Sequence, residues 1–270
     1  MTASLDELPI AASLGWSRFR DKTRRCLGDD LTALWGYGGT IFPDRSRRLG
    51  DLDTLAVVER VPDERTKQRL EQVEAEISQE LGIHWDIWYV LAADAVRSDP
   101  PSHALDPERR RTSWAIDCAH WWAGRYVSLS GRVPERLVPA PTWLAIEAAL
   151  GRELEHLERH VQDGDDDPVE ATYAICKGSR ILYAIETGDV AISKRAGGMW
   201  ALDHLPERWH EAIRAAGRAY DGEAKARDEE VLRDAMAPFV AMVRQHLPLD
   251  DPPSPGEPPS WSGLNEAHQG

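Results

Sequence analysis

The feature that most limits what this chain can fold into is a change of hydrophobic periodicity part-way along it. Before residue 112 apolar residues fall in short runs: Leu31 to Gly36, Leu52 to Val58, and the aromatic and β-branched stretch His84 to Leu91. Runs of this length suit strands. Between Asp63 and Leu81, Leu70, Val73, Ile77 and Leu81 recur at spacings of three and four, which is one helical face. The order strand, strand, helix, strand predicts a small sheet with helices packed on it. Arg97 to Arg111, with its prolines and arginine triplet, reads as a loop, and no strand is expected after Thr112. Four helical stripes follow instead. Trp143, Leu150, Leu154, Leu157 and Val161 form the first, after Pro141; Val169 to Glu186 predicts the second, ending before Gly188. Trp209, Ile213, Ala216 and Tyr220 form the third, and Val231, Leu232, Met236, Phe239, Val240 and Val243 the fourth. The expected fold class is α+β: residues 1–139 as a small mixed sheet with helices, then residues 140–247 as an α-helical bundle. Residues 248–270, dense in Pro, Gly, Ser and Asp, are expected to be a disordered tail.

Composition narrows the function classes. At 42% hydrophobic and 29% charged residues the chain is an ordinary globular one, and no apolar run approaches the roughly 18 residues that cross a bilayer. The formal net charge of −14 disfavours nucleic acid as a partner and favours cations. Cys26, Cys118 and Cys176 are scattered and form no CxxC pair, and the N-terminus has no basic start followed by an apolar block. A cytoplasmic monomer is the expectation, without membrane contact. The nine histidines show no HExxH-like spacing, so no zinc site is expected.

The segment that carries chemistry is Tyr37-Gly38-Gly39, then eleven residues, then Asp51-Leu52-Asp53. Residues two apart on a strand share a face, so Asp51 and Asp53 are expected side by side. Adjacent carboxylates repel unless a cation lies between them. Hard oxygen donors suit Mg²⁺ held jointly with phosphate oxygens, and the glycines admit a triphosphate close to backbone N–H groups. Arg45, Arg47 and Arg48 lie in the loop between. Asp86, set among the strand-like residues 84–90, is expensive to bury without a partner and is the expected third carboxylate.

With these residues the chain resembles the nucleotidyltransferase superfamily, whose signature is an apolar residue, Gly-Gly or Gly-Ser, a short gap and Asp-x-Asp. The second half is similar to the helical domain of the streptomycin/spectinomycin adenylyltransferases, through Arg180-Ile181-Leu182-Tyr183, Glu186-Thr187-Gly188, Ser193-Lys194, Trp200-Ala201-Leu202, Leu205-Pro206, Ala219-Tyr220 and Gly222. The resemblance implies a nucleotidyltransferase domain over residues 1–139. It implies transfer of AMP from MgATP to a hydroxyl of an aminoglycoside-like molecule. A different metabolite or a protein side chain is the alternative acceptor, and a non-catalytic binding module the alternative class. Asp51 and Asp53 would bind Mg²⁺, Asp86 would be the general base, and Gly38, Gly39 and Thr40 would face the nucleotide. Asp117, Arg180, Lys194 and Tyr220 would contact ATP. Glu170 and Tyr173 fall where the family binds its drug, and Trp114 is the candidate for its stacking tryptophan. This chain departs from the pattern at several positions. Gly39 and Thr40 replace a Gly-Ser turn, Asp86 replaces a glutamate, Tyr173 replaces a histidine, and one extra residue lies between Gly188 and Lys194.

Overall fold

The structure, a computed structural model, describes residues 3–46, 51–164 and 167–247. Arg47, Arg48, Asp165, Asp166 and the expected tail 248–270 lie outside the described residues. The chain divides into two compact units, Met1–Ala140 and Pro141–Gly270. Among the described residues no helix is long and apolar enough to cross a membrane.

The first unit is built on a four-stranded mixed sheet. Its strands are β1 (Leu31–Tyr37), β2 (Leu52–Val58), β3 (Trp85–Leu91) and β6 (Val127–Gly131), in the order β3-β2-β1-β6. β1 runs antiparallel to β2 and β6, while β2 and β3 are parallel and joined through helix α2 (Glu64–Leu81). Both faces of the sheet are covered, which is why β2 runs apolar without a break from Leu55 to Val58. Leu52, Ala56 and Val58 pack with Trp16 and Phe19 of α1 (Ile10–Leu27) and with Leu70 and Ile77 of α2. Leu55 and Val57 point the other way, into a cluster with Trp35, Trp88, Trp114 and Trp121. Trp114 and Trp121 belong to α4 (Trp114–Trp122), and a short helix, α3 (Ala92–Ala95), follows β3. By the same alternation Asp53 and Asp86 belong to the α4 face.

Two expectations are corrected here. Residues 97–111 are not a plain loop: β4 (Ser102–His103) and β5 (Asp106–Arg110) form a hairpin. The Ala104 N–H donates to the Tyr89 carbonyl at 2.6 Å, tying this hairpin to the edge strand β3. Four of the five β5 residues are exposed, so pairing rather than burial makes the strand, and no apolar pattern announces it. β6 lies beyond Thr112, where no strand was expected. It is five residues long and buries only Val127 and Leu129. Helix α1, for which there was no expectation, shows buried Ala12, Gly15, Trp16, Phe19, Thr23 and Leu27 at helical spacing, diluted by glycine, threonine and basic neighbours.

The second unit is all helical: α5 (Trp143–Gln162), α6 (Pro168–Thr187), α7 (Lys194–His204), α8 (His210–Tyr220) and α9 (Ala226–His246). Thr142, Asp167 and Ser193 cap α5, α6 and α7 by accepting backbone N–H bonds, and Gly188 ends α6 at φ 72°. The first expected stripe is buried at Leu150, Leu154 and Leu157, while Trp143 and Val161 at its ends are half-exposed. α6 touches the other four helices, and its buried side chains are mostly small, including Ala171, Ala174, Gly178 and Ser179. A Cβ on Gly178 would lie 2.8 Å from the Phe239 ring, so the glycine sets how closely α9 approaches. α7 escapes the stripe reading because it buries only Gly197 and Ala201.

One buried hydroxyl fixes the end of the sheet that carries Asp53. The indole N–H groups of Trp16 and Trp85 both donate to Thr54 Oγ1, at 3.0 and 2.9 Å, one residue past Asp53. Thr54→Val leaves two buried donors without an acceptor and is expected to lower stability by about 2–4 kcal/mol, as urea denaturation would measure.

Candidate active site

Strand register places Tyr37 of β1, Asp53 of β2 and Asp86 of β3 in one row. The row sits where β1 gives way to the Gly-Gly turn. Gly38 has φ 85° and ψ −161°, a region open almost only to glycine. A Cβ there would lie 1.7 Å from Asp53 Oδ2, so the glycine is required twice: for its backbone angles and for the space the carboxylate occupies. Gly39 opens a short 3-10 turn ending at Ile41, within which the Thr40 hydroxyl donates to the Asp51 carbonyl at 3.3 Å. The turn is thereby pinned to the residue that leads into β2.

Arg111, just past β5, organises the row. Its Nε donates to Asp117 Oδ2 at 2.7 Å, its Nη2 to the Tyr37 hydroxyl at 2.9 Å and its Nη1 to Asp86 Oδ2 at 3.4 Å. The guanidinium also lies 5.2 Å from the Trp88 ring centroid, and only 14% of the side chain is exposed. Burial opposes its charge, but Asp117, Tyr37 and Asp86 outweigh that and hold the guanidinium above its ordinary range. Ser113 Oγ donates a second bond to Asp117 Oδ2 at 2.9 Å.

One guanidinium does not neutralise this many acids. Burial, then the neighbouring Asp86, raises the Asp53 carboxyl to about 7 against the opposing pull of Arg111, with Asp51 and Asp117 adding to the rise. A half-buried acid raised in this way is a place where a further cation is stabilising. The donors are hard carboxylate oxygens, so the residues fit Mg²⁺, which commonly takes one or two carboxylates and completes its shell with phosphate and water. Asp51 differs from expectation. It precedes β2 rather than sharing a strand face with Asp53, its side chain is 65% exposed, and its Oδ1 lies 3.9 Å from His84 Nδ1. Among the described residues no three His, Cys, Asp or Glu side chains converge to hold a metal by themselves. Asp86 is 36% exposed, which leaves it within reach of a substrate.

In the helical unit Lys194 and Tyr220 line one pocket of about 310 Å³, with Ile175, Cys176, Met199 and Ile213 among its apolar walls. Lys194 Nζ lies 5.2 Å over the Tyr220 ring and has no carboxylate partner among the described residues. Arg195 and Arg218, also in the wall, are tied to Asp221 and Asp228. Arg180 is half-buried where α6 meets α7: a Cβ on Gly197 would lie 2.8 Å from its Cγ. Glu170 and Tyr173 face α5 rather than this pocket. Glu170 Oε2 lies 3.8 Å from His160 Nδ1, and Tyr173 stands beside His156 and beneath Lys177 Nζ at 5.7 Å.

The structure brings Gly38, Asp53 and Asp86 together, with Arg111 among them, which the sequence reading left inside an arginine run. Asp117 is engaged by Arg111 and Ser113 instead of standing open to a nucleotide. Trp114 is 1% exposed and donates its indole N–H to the Arg97 carbonyl, so it offers no stacking surface.

Comparison with known proteins bears on both units. Residues 140–246 match the family model described as aminoglycoside adenylyltransferase, C-terminal domain. A crystal structure of the spectinomycin adenyltransferase AAD(9) from Enterococcus faecialis, with ATP and spectinomycin, is similar in fold at TM-score 0.70 and 18% identity. The match covers 87% of this chain and 98% of that one.

Gly38→Ala must push aside either the turn or the Asp53 carboxylate. It is expected to weaken binding of Mn²⁺ with ATP by roughly tenfold or more, about 1.4 kcal/mol, as electron paramagnetic resonance titration would read.

Proposed function

We propose that this chain, whose residues 140–246 match the C-terminal domain of the aminoglycoside adenylyltransferases, transfers AMP from MgATP to a hydroxyl of an aminoglycoside-like small molecule. The observation that carries the reading is the registered pair Asp53 and Asp86 beside the Gly38 turn, an acid pair short of positive charge. Asp53, with Asp51 beside it in sequence, would hold Mg²⁺, which when bound supplies the charge that the phosphates and carboxylates need. Asp86 is the more open carboxylate and takes the general-base role. It accepts the proton of the acceptor hydroxyl as that oxygen attacks the α-phosphorus, and the bond to the pyrophosphate oxygen breaks. Lys194 offers a point charge and Arg180 a planar fork to the nucleotide, while Tyr220 and the apolar pocket wall offer it a surface. Catalysis on this scheme is mostly positioning and charge stabilisation.

One observation favours a second acceptor class. Glu170 and Tyr173 already face His160 and Lys177, so they offer less to a polycationic drug than open acids would. A different hydroxyl-bearing metabolite is the alternative. Radiolabelled ATP with a panel including spectinomycin and streptomycin separates the two. A labelled drug establishes the first reading, and label on no drug of the panel moves the acceptor to the second.

Asp86→Asn is expected to lower kcat by about 10²–10⁴-fold while leaving ATP affinity within a few-fold. Asp53→Asn is expected instead to abolish Mg²⁺-dependent ATP binding in titration calorimetry. A fully active Asp86→Asn enzyme would remove the base from the scheme.

A further inference from the structure

We infer that Arg111 is a positioning residue that acts through Asp86, fixing one carboxylate oxygen so that the other faces the acceptor hydroxyl; the inference rests on the adenylyl-transfer reading above. Two short bonds, to Asp117 and to the Tyr37 hydroxyl, fix the guanidinium in position. Trp88 lies against it, with Arg109 also over that ring at 4.9 Å. The guanidinium therefore cannot follow Asp86; Asp86 must come to it. Its third bond, at 3.4 Å, takes Oδ2 alone. Asp86 Oδ1 makes no hydrogen bond or ion pair among the described residues and is left to accept a proton. A fork with donors on fixed arms does this, and an ammonium on a flexible stem does not.

The geometry also answers the chain's departure at this position. An aspartate is one methylene shorter than the glutamate found in the family pattern, so it has less freedom to find its own orientation. Arg111 comes from the hairpin β4–β5, which is tied to the same strand that carries Asp86. Base and orienter thus ride on elements joined by the Ala104–Tyr89 bond, and the orientation does not depend on a bound nucleotide.

The test is a double-mutant cycle on full-length protein. Pyrophosphate release from ATP is followed with spectinomycin and with water alone as acceptor, giving adenylylated drug and free AMP respectively, for the wild type, Arg111→Lys, Asp86→Asn and the double variant. Arg111→Lys is expected to lower kcat on the order of 10²-fold, with the MgATP dissociation constant by calorimetry kept within about threefold. In the Asp86→Asn background the same change is expected to remove less than about threefold more, because the residue it acts through is already gone. An equal loss in both backgrounds, or an unchanged kcat in Arg111→Lys, overturns the inference and leaves the adenylyl-transfer reading standing. A wild type that binds no MgATP by calorimetry and cleaves no ATP under either condition overturns both. Should Arg111→Lys fail to fold, Tyr37→Phe removes one anchor of the guanidinium and keeps its charge. It is expected to lower kcat on the order of tenfold at unchanged ATP affinity, and a normal kcat there overturns the inference.

Discussion

Two carboxylates on adjacent parallel strands, one residue pair in register, are the constraint from which the site follows. Neighbouring strands lie about 4.8 Å apart, and two full charges at about 5 Å repel by ~3 kcal/mol even at an effective dielectric constant of 20. The sheet tolerates Asp53 beside Asp86 only because positive charge is delivered to the row. Arg111 delivers part of it from the hairpin, and the high Asp53 carboxyl marks what is left over. The Gly38 turn is shaped by the same pair, since any side chain there would stand on the Asp53 oxygen.

Holding such a pair requires a rigid frame, and the frame is visible on both sides of the sheet. On one face Thr54 receives two indole N–H groups, so the residue after Asp53 cannot rotate without orphaning a buried donor. On the other face Trp35, Trp114 and Trp121 pack edge to face under α4, and Tyr37 meets Trp121 at 90°. The abundance of tryptophan serves this frame. Most of these indoles are core, and the carboxylates gain fixed positions from them rather than stacking surfaces.

How much was legible in the sequence depended on whether burial or pairing made each element. β1, β2, β3 and α2 bury contiguous apolar residues, and their positions followed from periodicity within a residue or two. The hairpin β4–β5 is held by backbone pairing along an edge and exposes its side chains, so Asp106 to Arg110 carried no hydrophobic signal. α7 packs through Gly197 and Ala201, whose value lies in their smallness. The same logic separates the site residues. Asp53 and Asp86 belong to strands that announce themselves, Gly38 follows directly on another, and the Asp-x-Asp spacing suggested their chemistry. The expectation for Asp51 failed because β2 starts one residue later, which turns Asp51 out toward His84. Arg111 was invisible because nothing in Arg109-Arg110-Arg111 distinguishes the one arginine that folds inward. An acidic row with no evident counter-ion was the available clue, since a buried acid predicts a cation somewhere.

The electrostatics of the two units differ in sign, and that difference is what the proposed substrate requires. The first unit gathers carboxylates and falls short of positive charge. The pocket of the second unit holds Lys194 without a carboxylate partner among the described residues, while its neighbours Arg195 and Arg218 are already paired. The acids of the first unit suit a divalent cation, and the lysine of the second suits an anionic group; a polynucleotide would meet a chain with a net charge of −14. The acceptor half of the reading rests on the seam of Glu170 and Tyr173, where Glu170 Oε2 lies 3.8 Å from His160 Nδ1 and the Tyr173 ring lies beneath Lys177 Nζ. On the proposed reading, acceptor specificity is where a few substitutions on α5 and α6 would change most, with the chemistry proposed for Asp86 left as it is.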